Sequence, residues 1–160
     1  MPKFFKTSED IAELAQDLFE NTNLPQVGVN MRVMSTPKAK ELLKLSKESA
    51  KTEYLTNTND MCTLIIYEEA LDRLSDEYKA KLIEGALSTV SYDTEKGKLN
   101  VDNSRYGELF QMRRKYPNYQ DMLEAADLAI KQIADEEKEK KEAEKAARAS
   151  KKRGRGMPDE

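Results

Sequence analysis

The sequence contains no histidine and only one cysteine, Cys62, among its 160 residues. Without histidine the chain lacks the commonest catalytic zinc ligand, the commonest general base and every triad that includes an imidazole. A single cysteine excludes an internal disulfide framework and a zinc site built from thiolates. Composition therefore argues against most hydrolase chemistry, because the side chains that such enzymes use are missing.

Long apolar runs are missing as well. No segment approaches the roughly 20 apolar residues that cross a bilayer. The first residues, Met1–Lys6, lack the apolar stretch of a secretion signal. We therefore expect a chain that neither spans nor inserts into a membrane.

Charge is abundant and unevenly distributed. Apolar residues make up 38% of the chain and charged residues 36%, and the mean hydropathy is −0.82. These values fit one compact domain diluted by a solvated segment. Residues 1–144 carry 21 basic and 28 acidic side chains, a net charge of −7. An acidic body is thus followed by a basic tail, whose cations are Lys145, Arg148, Lys151, Lys152, Arg153 and Arg155.

The first third of the chain predicts a helix and a strand. Thr7 and Asp10 have the spacing of a capping box, and the apolar stripe from Ile11 to Phe19 has helical periodicity. Alternation over Val27–Val33 predicts a strand with one buried face. Residues 38–60 fit either a short helix around Leu42 followed by a polar loop, or an exposed hairpin, and both interpretations stay open.

The middle of the chain predicts the core. Met61–Tyr67 is a nearly continuous apolar run typical of an interior strand. Glu68–Leu74 predicts a short helix, and Ser75 predicts the cap of a central buried helix with acids in its first turn. Residues 91–101 predict a hairpin with its turn at Glu95–Lys98.

The last third predicts two further helices and an extension. Asp102–Ser104 would cap a helix whose apolar residues are Tyr106, Leu109, Phe110 and Met112. A final helix begins near Tyr119 and continues as a solvated, Glu- and Lys-rich helix that frays at Gly154. Its i,i+4 ion pairs are Glu136–Lys140, Glu137–Lys141 and Glu144–Arg148. The expected fold is α+β, a small few-stranded sheet packed by helices, with a domain over residues 4–133 and a charged helical extension with a basic disordered tail over 134–160.

Several segments resemble one protein family. They are EEALDRLSDE, KLIEGALS, YDTEKGKL and RRKY, in the order helix, strand, polar insertion, apolar strand, helix, hairpin, helix. This pattern, over roughly Phe5 to Ile133, resembles the putative phage metallopeptidases, small zincin-like proteins of tailed bacteriophages and prophages. The resemblance implies a zincin-like scaffold.

The zinc motif of that family is absent. The family carries His-Glu-x-x-His on its central helix, where two imidazoles one turn apart hold zinc and the glutamate acts on the bound water. The matching positions here are Gly85, Ala86 and Thr89, and a further histidine expected after the hairpin is also missing. The resemblance therefore implies an inactive relative with no catalytic residue, no metal and no cofactor.

Other residues have a chemical and a structural interpretation. The buried, partnerless Cys62 is expected to be inert, and Gly85 is expected to mark close packing. The cluster Arg113–Tyr116 would touch a phosphate or simply end a helix. Carboxylates would hold Mg²⁺ or Mn²⁺ in an alternative, metal-dependent hydrolase. The carboxylates near the expected cleft are Glu68, Glu69, Glu84, Asp93, Asp102 and Glu108.

The leading functional hypothesis is a non-catalytic phage or prophage accessory protein in the host cytoplasm that works by binding an unidentified phage or host protein. The first alternative is attachment to DNA or RNA through the basic tail, since unopposed cations release counterions from a nucleic acid. The other interpretation of the tail is a disordered, solubilising end. The second alternative is the carboxylate-metal enzyme.

Overall fold

The computed structural model describes residues 3–56, 60–101 and 105–156, with side chains except at 56, 105–107 and 152–156. In chain order, its helices and strands are α1 (Glu9–Glu20), β1 (Asn30–Ser35), β2 (Leu43–Lys47), α2 (Ala50–Thr56), β3 (Met61–Ile66), α3 (Glu68–Leu71), α4 (Asp76–Leu87), β4 (Val90–Asp93), β5 (Lys98–Val101), α5 (Arg105–Lys115) and α6 (Tyr119–Gly156). The predicted α+β class is confirmed.

The centre of the main sheet is β3, which pairs in parallel with β1 and antiparallel with β2. Its side chains are buried on both faces: Cys62, Leu64 and Ile66 are inaccessible to solvent, and Thr63 is buried on the opposite side. A strand covered on both faces needs a nearly continuous apolar run, which is what the sequence provides. The predicted interior strand is confirmed.

The predicted central helix is also confirmed as α4. The Ser75 hydroxyl oxygen accepts a hydrogen bond from the backbone N–H of Tyr78 at 3.3 Å and so caps its first turn. Leu82, Ile83 and Leu87 are buried, and α4 packs against α1, α5, α6 and β2. This helix therefore joins the edge strand β2 to three other helices.

The strands β4 and β5 form the predicted hairpin as a separate two-stranded sheet. The Asp93 carboxylate accepts hydrogen bonds from the backbone N–H groups of Glu95 and Lys96, at 3.0 and 3.2 Å. Gly97 has φ +59°, a conformation that costs glycine little. The turn is thus fixed by one side chain and one glycine. The cap predicted at 102–104 lies outside the described residues.

The N-terminal cap differs from the prediction. Thr7 is buried and its hydroxyl bonds to the Ser35 hydroxyl at 2.9 Å, so it does not cap α1. The helix begins after Ser8, whose side chain makes no capping bond and whose backbone N–H donates to Glu68 at 2.6 Å. A tertiary contact across the fold has replaced the local capping box.

The first strand begins later than predicted. Pro25–Val27 forms a 3₁₀ turn, and Gly28 at φ +88° reverses the chain before β1 starts at Asn30. The alternation that begins at Val27 therefore starts in a turn and ends in a strand.

Residues 38–60, for which the sequence leaves two interpretations open, contain both a strand and a helix. β2 is an edge strand paired with β3, and not half of a local hairpin. Its buried residue Leu45 faces the core, and Lys44 and Lys47 are exposed. The short helix lies later than Leu42, at α2.

The last helix starts at Tyr119 as predicted. At 1.5 Å per residue its 38 residues span about 57 Å. Its buried side chains end at Ile133. The backbone nevertheless stays helical through Gly156, so the basic segment 145–155 continues the helix. In the described part of the chain, no helix has the length and apolar character to cross a membrane.

Candidate functional site

The positions that the family resemblance matches to a zinc motif lie at the C-terminal end of α4. Gly85 and Ala86 are buried in the helix, whereas Thr89 lies two residues beyond its last residue, Leu87. The Thr89 hydroxyl donates to the carbonyl of Ala86 at 2.6 Å, and the Ser88 hydroxyl donates to the carbonyl of Gly85 at 2.5 Å. These bonds close the end of the helix, so position 89 lies outside its helical turns.

The space beside Gly85 is filled by the first residue of α6. Tyr119 is fully buried, and its hydroxyl donates to the Glu108 carboxylate of α5. A Cβ built on Gly85 would overlap the Tyr119 hydroxyl oxygen, would lie 2.6 Å from Tyr119 Cζ and would lie 2.9 Å from Glu108 Oε1. The expectation of close packing at Gly85 is confirmed, and three helices meet at this point.

Next to this contact lies a small cavity of about 120 Å³. Its floor is apolar and includes Leu45, Leu82 and Ala86, and its rim includes the charged residues Glu108 and Asp127. Two of the three positions matched to the zinc motif, Ala86 and Thr89, border it. Its lining combines apolar core residues with polar and charged side chains.

The candidate metal-binding carboxylates have separate structural roles. Glu68 accepts the Ser8 N–H, Asp93 fixes the hairpin turn, and Glu84 pairs with Lys115 and accepts the Tyr116 hydroxyl at 2.7 Å. Glu108 accepts the Tyr119 hydroxyl. Glu69 is exposed on α3, and Asp102 lies outside the described residues. Among the described residues, no three acidic or thiol side chains gather as a metal cluster would require.

The lone thiol, Cys62, is inaccessible to solvent in the central strand. Burial, partly offset by a backbone hydrogen bond, raises its pKa to about 11. Since the thiolate is the reactive form, the thiol is inert at neutral pH. The expected burial of Cys62 is confirmed, and the raised pKa supports the prediction that the thiol is inert.

The cluster Arg113–Tyr116 divides into two halves. Lys115 and Tyr116 are tied to Glu84, and the hydrogen bond to that carboxylate raises the pKa of both. Lys81 also lies over the Tyr116 ring, 4.7 Å from its centroid. Arg113 and Arg114 stay exposed, so half of the cluster secures the helix end and half faces solvent.

The helix α6 leaves the body at two ion pairs. Arg73 holds both carboxylate oxygens of Glu136, at 2.9 and 2.6 Å, and Lys38 lies 3.6 Å from Glu137. The hydrogen bonds between them raise the pKa of Arg73 and lower that of Glu136. Glu136 and Glu137 therefore pair with the body, and not with Lys140 and Lys141 as the i,i+4 spacing predicts.

Residues 138–156, which we call the arm, extend beyond these pairs. Every arm side chain that the structure describes is exposed, from Lys138 to Lys151. The arm contains nine basic and three acidic residues, a net charge of +6. The predicted tail residues Lys145, Arg148 and Lys151 lie on it. Lys152, Arg153 and Arg155 also lie on its helical backbone, though their side chains are outside the described set.

The arm carries a basic stripe that starts earlier in the chain than the predicted tail, at Lys138 and not at Lys145. Lys138, Lys141, Lys145 and Arg148 follow each other at alternating steps of three and four residues, and positions 152 and 155 continue this spacing. At 100° per residue these six positions fall within an arc of about 100°. The four described side chains border one shallow depression with Glu142 and Glu144. The recurrence of basic residues at steps of three and four is the sequence signal that could have shown this earlier start.

Comparison with known protein families, with curated proteins and with solved structures finds no significant match to this chain. The resemblance to phage metallopeptidases therefore stays a prediction.

Proposed function

We propose that this chain is a non-catalytic binding protein that attaches to nucleic acid through the basic stripe of its arm. The observation that carries the proposal is the stripe itself: within the described residues, Lys138, Lys141, Lys145 and Arg148 form no ion pair, on a helix that has left the acidic body. Unneutralised cations at regular spacing suit a polyanion, because each phosphate contact releases a condensed counterion.

The local charge supports a contact near the end of the arm. Glu142 and Glu144 flank the stripe, but from Lys145 to Gly156 no acidic residue follows. The positive field therefore rises along the arm, away from the body with its net charge of −7. That body repels nucleic acid at long range, so the arm would make the first contact.

The non-catalytic part of the proposal is supported by α4. Gly85 and Ala86 offer no ligand or base, and the Thr89 hydroxyl is engaged with a backbone carbonyl. The wider prediction, an accessory protein of phages or prophages with an unidentified phage or host protein as partner, rests on the family resemblance and belongs to the same proposal.

The test measures anisotropy of a fluorescent 20-base-pair duplex with the full chain. We expect affinity to fall about 10³-fold between 50 and 200 mM salt, as six phosphate contacts imply. Replacing Lys141, Lys145 and Arg148 together by Gln should weaken binding more than tenfold.

The matched control removes three positive charges from the arm outside the stripe, with Lys140, Lys151 and Arg153 changed to Gln. We expect this variant to lose less than threefold, because its residues lie off the stripe. Equal losses of affinity in the two variants would mean that binding depends on the net charge of the arm and not on the stripe. Full binding by both variants would place the site on the body.

A further inference from the structure

The outer face of α5 exposes an aromatic ring beside two arginines, Arg113 and Arg114. Phe110, one of the apolar residues predicted on that helix, is 63% exposed. Positions 110 and 112 lie about 200° apart on a helix, so the burial of Met112 turns Phe110 toward solvent. The phenyl ring is therefore accessible to a ligand.

The two arginines beside this ring are available for a ligand. Arg113 and Arg114 are exposed, and within the described residues neither makes an ion pair, in contrast to the neighbouring Lys115. The Arg114 guanidinium lies over the Phe110 ring, 5.7 Å from its centroid. With Leu109, these residues line an open groove of about 290 Å³, which we call the Phe110 groove.

We propose that the Phe110 groove is a second binding site, which stacks an unpaired base of single-stranded nucleic acid on Phe110 and holds the adjoining phosphates with Arg113 and Arg114. The proposal rests on the nucleic-acid function proposed for the arm and names its substrate class. Exposed aromatic faces with arginines stack bases with little sequence preference, and arginine adds a cation–π contribution.

The chemistry of the groove selects a single strand over other anions. A duplex keeps its base faces inside the stack, so it offers phosphates to the arginines but nothing to the ring. An acidic peptide offers carboxylates without a base. An unpaired nucleotide presents an aromatic face and a negative charge together, which matches Phe110 and its two arginines.

The experiment compares three labelled probes on the full chain: a 15-residue oligothymidine, an abasic oligomer with the same phosphates, and a duplex. We expect the oligothymidine to bind about tenfold more tightly than the abasic strand. Phe110→Ala should remove this preference and leave duplex and abasic affinities unchanged, and Phe110→Trp should keep it. Leu128→Ala is the matched control, since Leu128 is 55% exposed on α6.

The arginines are tested in the same assay. Arg113→Gln with Arg114→Gln should weaken oligothymidine binding about tenfold, and Lys44→Gln with Lys47→Gln, an exposed pair on β2, should weaken it less than threefold. Irradiation of a 5-iodouracil oligomer should cross-link the peptide that contains Phe110.

Two results would overturn the Phe110 site: equal affinity of the native chain for thymidine and abasic strands, or a Phe110→Ala variant that behaves like Leu128→Ala. The outcomes separate the two proposals. If the stripe variant loses duplex binding while Phe110→Ala changes nothing, only the arm stands. If Phe110→Ala loses the single strand while the stripe variant binds duplex normally, only the groove stands.

Discussion

The two ends of α6 are parts of one continuous helix, but different interactions stabilise them. In residues 119–133 a regular stripe is buried, and Tyr119 completes the contact of three helices. In residues 138–156 every described side chain is exposed. The first part is stabilised by packing, and the second by Ala, Glu, Lys and Arg, which favour helix without any partner. The end of this helix is therefore not the end of the domain. The last buried side chain marks the end of the domain more sharply.

The largest expected effect breaks the packed end. Ile133→Ala removes the last buried side chain of α6, which is 1% exposed, and should lower the free energy of unfolding by about 3–4 kcal/mol. Leu128→Ala, at an exposed position of the same helix, should change it by less than about 0.5 kcal/mol. Urea unfolding measures both. Equal effects would mean that α6 does not pack as described.

A smaller effect is expected from a glycine-to-alanine substitution, made once in the packed part of the structure and once in the arm. Gly85→Ala forces Tyr119 away from α4 and should destabilise the fold by about 2–3 kcal/mol, as overpacking does. Gly154→Ala in the arm should raise local helix stability by about 1 kcal/mol and leave the unfolding midpoint of the body unchanged.

Thermal unfolding followed by circular dichroism distinguishes these two variants. A Gly85→Ala protein as stable as the native chain would contradict the close contact with Tyr119. A shift of the midpoint in Gly154→Ala would show that the arm is coupled to the body beyond Glu137.

The smallest effect is at the junction. Arg73→Ala removes the two hydrogen bonds to Glu136 and should speed amide exchange in residues 135–140 without changing global stability. Lys96→Ala on the hairpin turn is the control. Since the pair lowers the pKa of Glu136, its contribution is complete above the ordinary carboxyl pKa of about 4.3 and is lost as pH falls through the lowered value. Unchanged exchange would show that packing alone orients the arm.

Sequence patterns predicted elements whose burial is local and periodic. The continuous apolar run at Met61–Ile66 fits an interior strand. The Ser75 cap and the apolar stripe that follows it fit a buried helix. Leu43–Lys47 was missed because its short Leu-Lys-Leu alternation becomes a strand only when β3 supplies a partner edge. Thr7 was misassigned since its buried partner Ser35 lies 28 residues away.

The candidate sites divide in the same way. Lys145 and Arg148 follow from charge alone, whereas Lys141 joins the stripe only once Glu137 is known to pair with Lys38 of the body. Phe110 could not be separated from Leu109 and Met112 by hydrophobicity, because which of two helix faces is covered depends on elements that arrive from elsewhere in the chain.

The contact between Gly85 and Tyr119 also restricts the order in which this fold can acquire substitutions. Any side chain introduced at 85, an imidazole included, collides with a phenol that already occupies the same volume. Tyr119 would have to be exchanged for a smaller residue first, at the cost of an emptied site in the core. A larger side chain at position 85 could thus be acquired only through a less stable intermediate.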